Sequence, residues 1–338
     1  MTDLTDPSIS GDGTEGSEER RLTRRRALVL AGGVTGGLLA ATSSVGAGVS
    51  AAATAEGTRA IGQRGRLPAM EMQKILRAEG TVTSGVLNVG LDRSDIGTVK
   101  GPHGIPFKPS FQINANLFFQ PLGAHRAFFN GDIPVRAEEM NRVIDAIVAN
   151  GLVFQAQHQH FFDLSPMIYF IHFRGVGQPL ALAEAVHKVV AVTGIPLPQT
   201  MPKHPTSPLD HERLGKILQG DATVGSDGIV TVDVLRRDAI TIAGIHVSPS
   251  VNIATGIAFQ PLNHNGSRTA AAPDFAMTAG EITPVMTVMR AAGFEVHCLY
   301  NQETSESPQL YFSHQLAVGD PYTLATDIRR GLDHTRSH

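Results

Sequence analysis

From residue 73 onward the sequence repeats itself at a spacing of about 142 residues. Gln73-Lys74-Ile75-Leu76 returns as Gly215-Lys216-Ile217-Leu218, residues 105–121 (IPFKPSFQINANLFFQP) return as 245–261 (IHVSPSVNIATGIAFQP), and Gly177-Gln178-Pro179 returns as Gly319-Asp320-Pro321. A duplication on this scale restricts the fold to two copies of one supersecondary unit. The copies are placed at 66–194 and 209–335. The connector between them, 195–208, carries Pro196, Pro198, Pro202, Pro205 and Pro208, which favours an extended, semi-rigid segment.

Each copy reads the same way. A short helix (69–78, then 211–219) precedes a strand rich in β-branched residues, and the Pro-Ser segment leads into a strand ending at Phe-Gln-Pro. Met140, Val143, Ile144, Ile147 and Val148 then fall at i, i+3, i+4, i+7 and i+8, the spacing of one helix face. Ile282, Val285, Met286 and Met289 repeat it. Gly151 and Gly293 sit where a helix needs a left-handed stop. Two strands follow (152–161 with 167–174; 294–302 with 309–316), and then a helix capped by Gln178 or Asp320 with proline at its first position. The class is α+β: strand-strand-strand-helix-strand-strand-helix, ferredoxin-like in its C-terminal part, with an antiparallel sheet covered by helices in each copy.

Ahead of the repeats the chain reads as an export signal. After a polar, acidic stretch comes Thr23-Arg24-Arg25-Arg26-Ala27-Leu28-Val29 and then a Gly- and Ala-rich, weakly apolar run to about Ala53. This pattern resembles a bacterial twin-arginine signal, and Ala53 and Ala55 suit cleavage before Glu56. Six glycines between Gly32 and Gly48 make the run a poor membrane span. No cysteine follows it, which argues against an N-terminal lipid anchor. The expectation is therefore an extracellular, periplasmic or envelope-associated protein with no stable transmembrane anchor after cleavage. A net charge of −3 without a basic stripe argues against a nucleic-acid partner. A single cysteine excludes an intrachain disulfide or a cysteine-rich metal site.

Fourteen histidines are the compositional oddity. Alternation along 152–160 sets Leu152, Phe154, Ala156, His158 and His160 in one row, on the helix-covered side, and Val153, Gln155, Gln157 and Gln159 on a solvated one. A turn at 163–166 that pairs His158 with His172 brings three imidazoles onto one face. His158, His160 and His172 are thus candidate ligands for zinc or another divalent transition metal. Asp132, just before the amphipathic helix, is the candidate catalytic base. The second copy carries Tyr300, Gln302 and His314 at the matching positions. The opposing account is that His172 and His314 are packed core histidines. Glu139 and Glu281 fit a helix's first turn through its dipole alone, and Cys298 fits a buried thiol.

With these segments in hand, the chain resembles the LppY/LpqO family of exported bacterial proteins. The likeness is carried by FFNGDIPV, ANGLVFQAQHQHFFDLSP and FIHFRGVGQP in the first copy, and by GFEVHCLYNQET and QLYFSHQ in the second. It implies export and a His-x-His segment, and it transfers no catalytic residue. Two functions remain open. One is a binding module whose pseudo-symmetric halves take a small molecule or cell-envelope component. The other is a metal-dependent hydrolase built on His158, His160 and His172.

Overall fold

A computed structural model describes residues 65–337; the expected export signal lies outside them. The first repeat opens with α1 (Ala69–Leu76), β1 (Thr81–Thr83) and β2 (Val86–Asp92). It continues through β3 (Asn114–Pro121), β4 (Ala127–Val135), α2 (Met140–Ala149), β5 (Val153–His158), β6 (Tyr169–Gly177) and α3 (Pro179–Val190). The second repeat runs α4 (His211–Leu218), β7 (Asp221–Val224), β8 (Val230–Val234), β9 (Thr255–Pro261) and β10 (Thr269–Met277). It ends with α5 (Ala279–Ala291), β11 (Glu295–Val296), β12 (Tyr311–Gly319) and α6 (Pro321–Leu332). The strands form two antiparallel six-stranded sheets of matching order, β1-β2-β3-β4-β6-β5 and β7-β8-β9-β10-β12-β11. The class is α+β with an internal duplication, as the pattern predicts.

Local chemistry sets the element ends. Gly151 (φ 70°) and Gly293 (φ 87°) take the left-handed turn that stops α2 and α5. The Gln178 and Asp320 side chains accept N–H bonds from the first turns of α3 and α6, each with proline at its start. On α2 the buried positions are Val143 and Ile147, while Val148 at the end of the expected stripe faces solvent.

Each sheet has two apolar faces. The outer one packs on its own helices: Phe129, Ile133, Ile171 and Phe173 meet Val143, Ile147, Val186 and Val189 in the first repeat. Phe275, Val285, Met289, Ile328 and Leu332 do so in the second. The inner faces pack on each other. One inner cluster unites Phe107, Phe161 and Phe170 with Ile229, Ala270, Ala272 and Leu316, and another joins Val86 and Phe128 to Ile253, Ala276 and Phe312. All nine residues of β4 are buried, as a strand covered on both faces requires. The described residues therefore stack as helices, sheet, sheet, helices.

The repeated motifs hold the two sheets together. Gln120, in the first Phe-Gln-Pro, donates from Nε2 to the His246 carbonyl (2.9 Å) and accepts from the Ser248 N–H (2.6 Å). Gln260, in the second, donates to the Pro106 carbonyl (2.8 Å) and accepts from the Lys108 N–H (2.9 Å). Each repeat thus grips the other's Pro-Ser segment in the reciprocal manner of a two-fold contact. A second paired device is internal to each repeat. Arg93 is fully buried and forks onto Glu139 (3.0 and 3.1 Å), with Asp95 and the Pro134 carbonyl completing its donors. Arg236 does the same with Glu281, Asp238 and the Ala276 carbonyl. Glu139 and Glu281 thus answer a buried guanidinium, beyond the helix dipole the sequence suggests.

Candidate metal centre

The histidine strand does not continue in one row. β5 pairs Phe154 with Phe173 but Ala156 with His172, and a bulge between 154 and 156 absorbs the extra residue. An extra residue on one strand reverses its alternation beyond that point. Phe154 therefore stays opposite Phe173 of the helix-side core, while Ala156 and His158 turn to the inner face with Phe170 and His172. This corrects two expectations. The histidines lie between the sheets and not under the helices. Gln155, expected in solvent, is buried, donating to Asn130 Oδ1 (3.0 Å) and accepting from Arg174 Nε (3.0 Å). The register differs as well, because His158 pairs with Phe170, and His172 lies between Ala156 and Asp132.

The convergence is also different. His158 and His160 meet His314 of the second repeat, and one ligand atom from each lies within 4.8 Å of the others. Nitrogens bound to one ion at about 2.0–2.1 Å would stand at most about 4.2 Å apart, so the three rings are close enough to share one. His172 is not in this set; its ring stacks on His158 at 5.1 Å. Asp132 is not in it either. Its Oδ1 accepts from Asn116 (3.5 Å) and, across the repeats, from Asn252 (3.4 Å).

The rings are tightly held. His158 stacks on Tyr300 at 3.6 Å, and His160 on Phe170 at 3.4 Å. His160 Nδ1 lies 3.0 Å from the Gln112 carbonyl. A carbonyl only accepts, so Nδ1 carries the proton and Nε2 keeps its lone pair for a ligand. The Tyr300 hydroxyl sits 3.2 Å from Asp274 Oδ2 and 3.4 Å from His314 Nε2. Both nitrogens of His158 and of His172, and Nδ1 of His314, are buried without a hydrogen-bond partner.

Burial, reinforced by the neighbouring imidazoles, holds His158, His160 and His314 well below the usual histidine range, and burial alone pushes His172 down to about 3. The rings are neutral, the form that ligates metal. Burial has the opposite effect on the acids: Asp132 rises to about 7 against its two asparagine hydrogen bonds, and Asp274 to about 8. Cys298 is inert, its thiol pushed up by burial while its sulfur accepts the His314 N–H at 3.4 Å.

His314 was visible in the sequence as the counterpart of His172, but the sequence gives no sign that the two sheets face each other. Tyr300 and Asp274 were likewise visible only as the counterparts of His158 and Asp132, and Gln112 carried no signal.

Among curated proteins none matches the chain. One solved structure that matches is a trimeric bacterial microcompartment shell protein, PduB, at 8% identity over 76% of this chain and 89% of that one. Its TM-score of 0.21 carries no argument. Among the described residues no helix is long and apolar enough to cross a membrane. A family model described as Domain of Unknown Function (DUF1259) matches twice, at 70–192 and 212–334, with the same 142-residue displacement that the sequence repeats. Two matches in one chain, one on each sheet-and-helix unit, make this protein a member of that family.

Proposed function

We propose that the protein is an exported cell-envelope binding module whose two repeats close on one divalent transition-metal ion, held by His158, His160 and His314. The observation that carries the reading is the convergence of three buried, neutral imidazoles, three of whose six ring nitrogens are buried without a hydrogen-bond partner. Each unsatisfied buried polar atom costs about 1–3 kcal/mol, and a bound ion removes that cost. An all-nitrogen set suits zinc, copper, nickel or iron, and disfavours magnesium or calcium. The export part rests on the Thr23-Arg24-Arg25 segment and on the likeness to the LppY/LpqO family.

A second reading, metal-dependent hydrolysis, is favoured by one observation. Asp132 is buried and Asp274 half-buried beside the histidines, with carboxyls pushed up to about 7 and about 8, as a group transferring protons near neutral pH requires. Here His314 takes the ligand place first given to His172.

Elemental mass spectrometry on the folded protein tests the main reading. About one equivalent of transition metal is expected in the wild type, with loss in a His158→Ala/His160→Ala variant that remains folded. A metal-free wild type after growth and purification with added zinc, copper, nickel and iron would falsify it.

A further inference from the structure

A second histidine group lies at the surface beside the buried centre. Its middle is Glu295 on β11, whose carboxylate meets an imidazole on each oxygen: His103 Nε2 at 2.7 Å from Oε1, and His297 Nε2 at 3.7 Å from Oε2. His103 comes from the first repeat and is widely exposed (66%), and Glu295 is 44% exposed. His297 is 4% exposed, and neither of its ring nitrogens has a hydrogen-bond partner. These three residues thus grade from solvent to interior. His103 holds a left-handed backbone (φ 58°).

The inner end of this group adjoins the centre. The His297 N–H donates to the His314 carbonyl at 3.0 Å. The Phe161 ring neighbours both imidazoles, 5.1 Å from His297 and 6.2 Å from His314, and Phe161 follows His160 in sequence. A buried metal site needs an entry path, and an ion shedding water needs donors along it. A carboxylate between two imidazoles attracts a divalent cation and releases it again, since it lacks a third close nitrogen.

The geometry points to His103, Glu295 and His297 as the loading station for the buried centre, a transient site for a divalent transition-metal ion on its way to His314. This rests on the metal-centre reading above. The test is loading kinetics on the full chain stripped with chelator, using cobalt(II) alone as probe and its visible absorbance as readout. The variant is His103→Asn/Glu295→Gln, in which asparagine tolerates the left-handed backbone. The expected result is loading about tenfold slower, equal to about 1.4 kcal/mol in the barrier, with the same final stoichiometry and spectrum. Unchanged loading overturns the proposal. So does a lower final stoichiometry, which would make these residues part of the holding site. A wild type that takes up no cobalt sinks the metal-centre reading itself, and the loading station with it. His297→Phe, which keeps the buried ring, is a second probe of the same rate and is expected to slow it as well.

Discussion

Replacing His314 with alanine separates a centre shared by two repeats from one built on a single hairpin. If the ion is held by His158, His160 and His314, an ion at one hundred times its dissociation constant stabilises the wild type by about 2.7 kcal/mol through mass action. For a body of this size each kcal/mol moves the melting temperature by roughly 2–4 °C, so the shift is about 5–10 °C. His314→Ala leaves two imidazoles. An outer partner of a metal ligand is worth about 10–100-fold in affinity, and a ligand itself at least the upper figure. At the same ion concentration a hundredfold weaker site retains about 0.4 kcal/mol, a shift of about 1–2 °C. His172→Ala removes a ring that stacks on His158 at 5.1 Å without joining the ligand set, so it keeps more than half of the wild-type shift. Scanning calorimetry of each protein with and without zinc gives the answer, each variant being compared with its own metal-free scan. A shift lost in His172→Ala and kept in His314→Ala would refute the reasoning and return the site to the first repeat alone.

Further tests address the scaffold and its titration. Gln120→Ala strands the His246 carbonyl and the Ser248 N–H, at about 1–3 kcal/mol each; urea melts should show a loss of about 2–6 kcal/mol, matched by Gln260→Ala, and a change under 1 kcal/mol would contradict the clamp. Glu139→Ala leaves the buried Arg93 short of its main partner and should cost roughly 3–5 kcal/mol, with a smaller loss for Glu281→Ala, whose carboxylate is more exposed. In metal-free protein His172, pushed down to about 3, stays neutral while the unfolded chain takes up its proton below about pH 6.5; its contribution to stability therefore falls by about 1.4 kcal/mol for each pH unit lost between 6.5 and 3. The raised Asp132 and Asp274 act with opposite sign, stabilising as pH falls through about 7 and 8. The clean measure is thus the difference between wild type and His172→Gln, and parallel pH profiles would contradict it.

The duplication was legible because the residues that announce it are the ones that bind the copies together. Phe-Gln-Pro and Pro-Ser recur since Gln120 and Gln260 each grip the other copy's Pro-Ser segment. Helix ends were legible because caps and left-handed glycines are local chemistry. The face of the histidines was not. Alternation counts residues, and the bulge after Phe154 adds one that no turn residue marks. The third histidine of the cluster was hidden for a different reason. His314 lies 154 residues from His160, and only the packing of one sheet on the other brings the rings to 3.6 Å. The Arg93–Glu139 pair escaped because its signal, Arg-x-Asp in both copies (Arg93, Asp95; Arg236, Asp238), looks like surface charge until burial is known.

The reciprocal grip of the glutamines has a consequence for ligand number. Two separate chains of a single repeat, docked in this way, would form a homodimer with the histidines beside its rotation axis. Any atom on such an axis meets its neighbours in equal pairs, so a ligand count there must be even. Two imidazoles from one copy and one from the other form an odd set, closed to that dimer. Covalent linkage lifts the restriction, since each copy can change alone: Tyr300 and Gln302 stand where His158 and His160 stand in the first. Joining the halves in one chain is what lets three histidines and a tyrosine share a place where symmetry would demand matched sets.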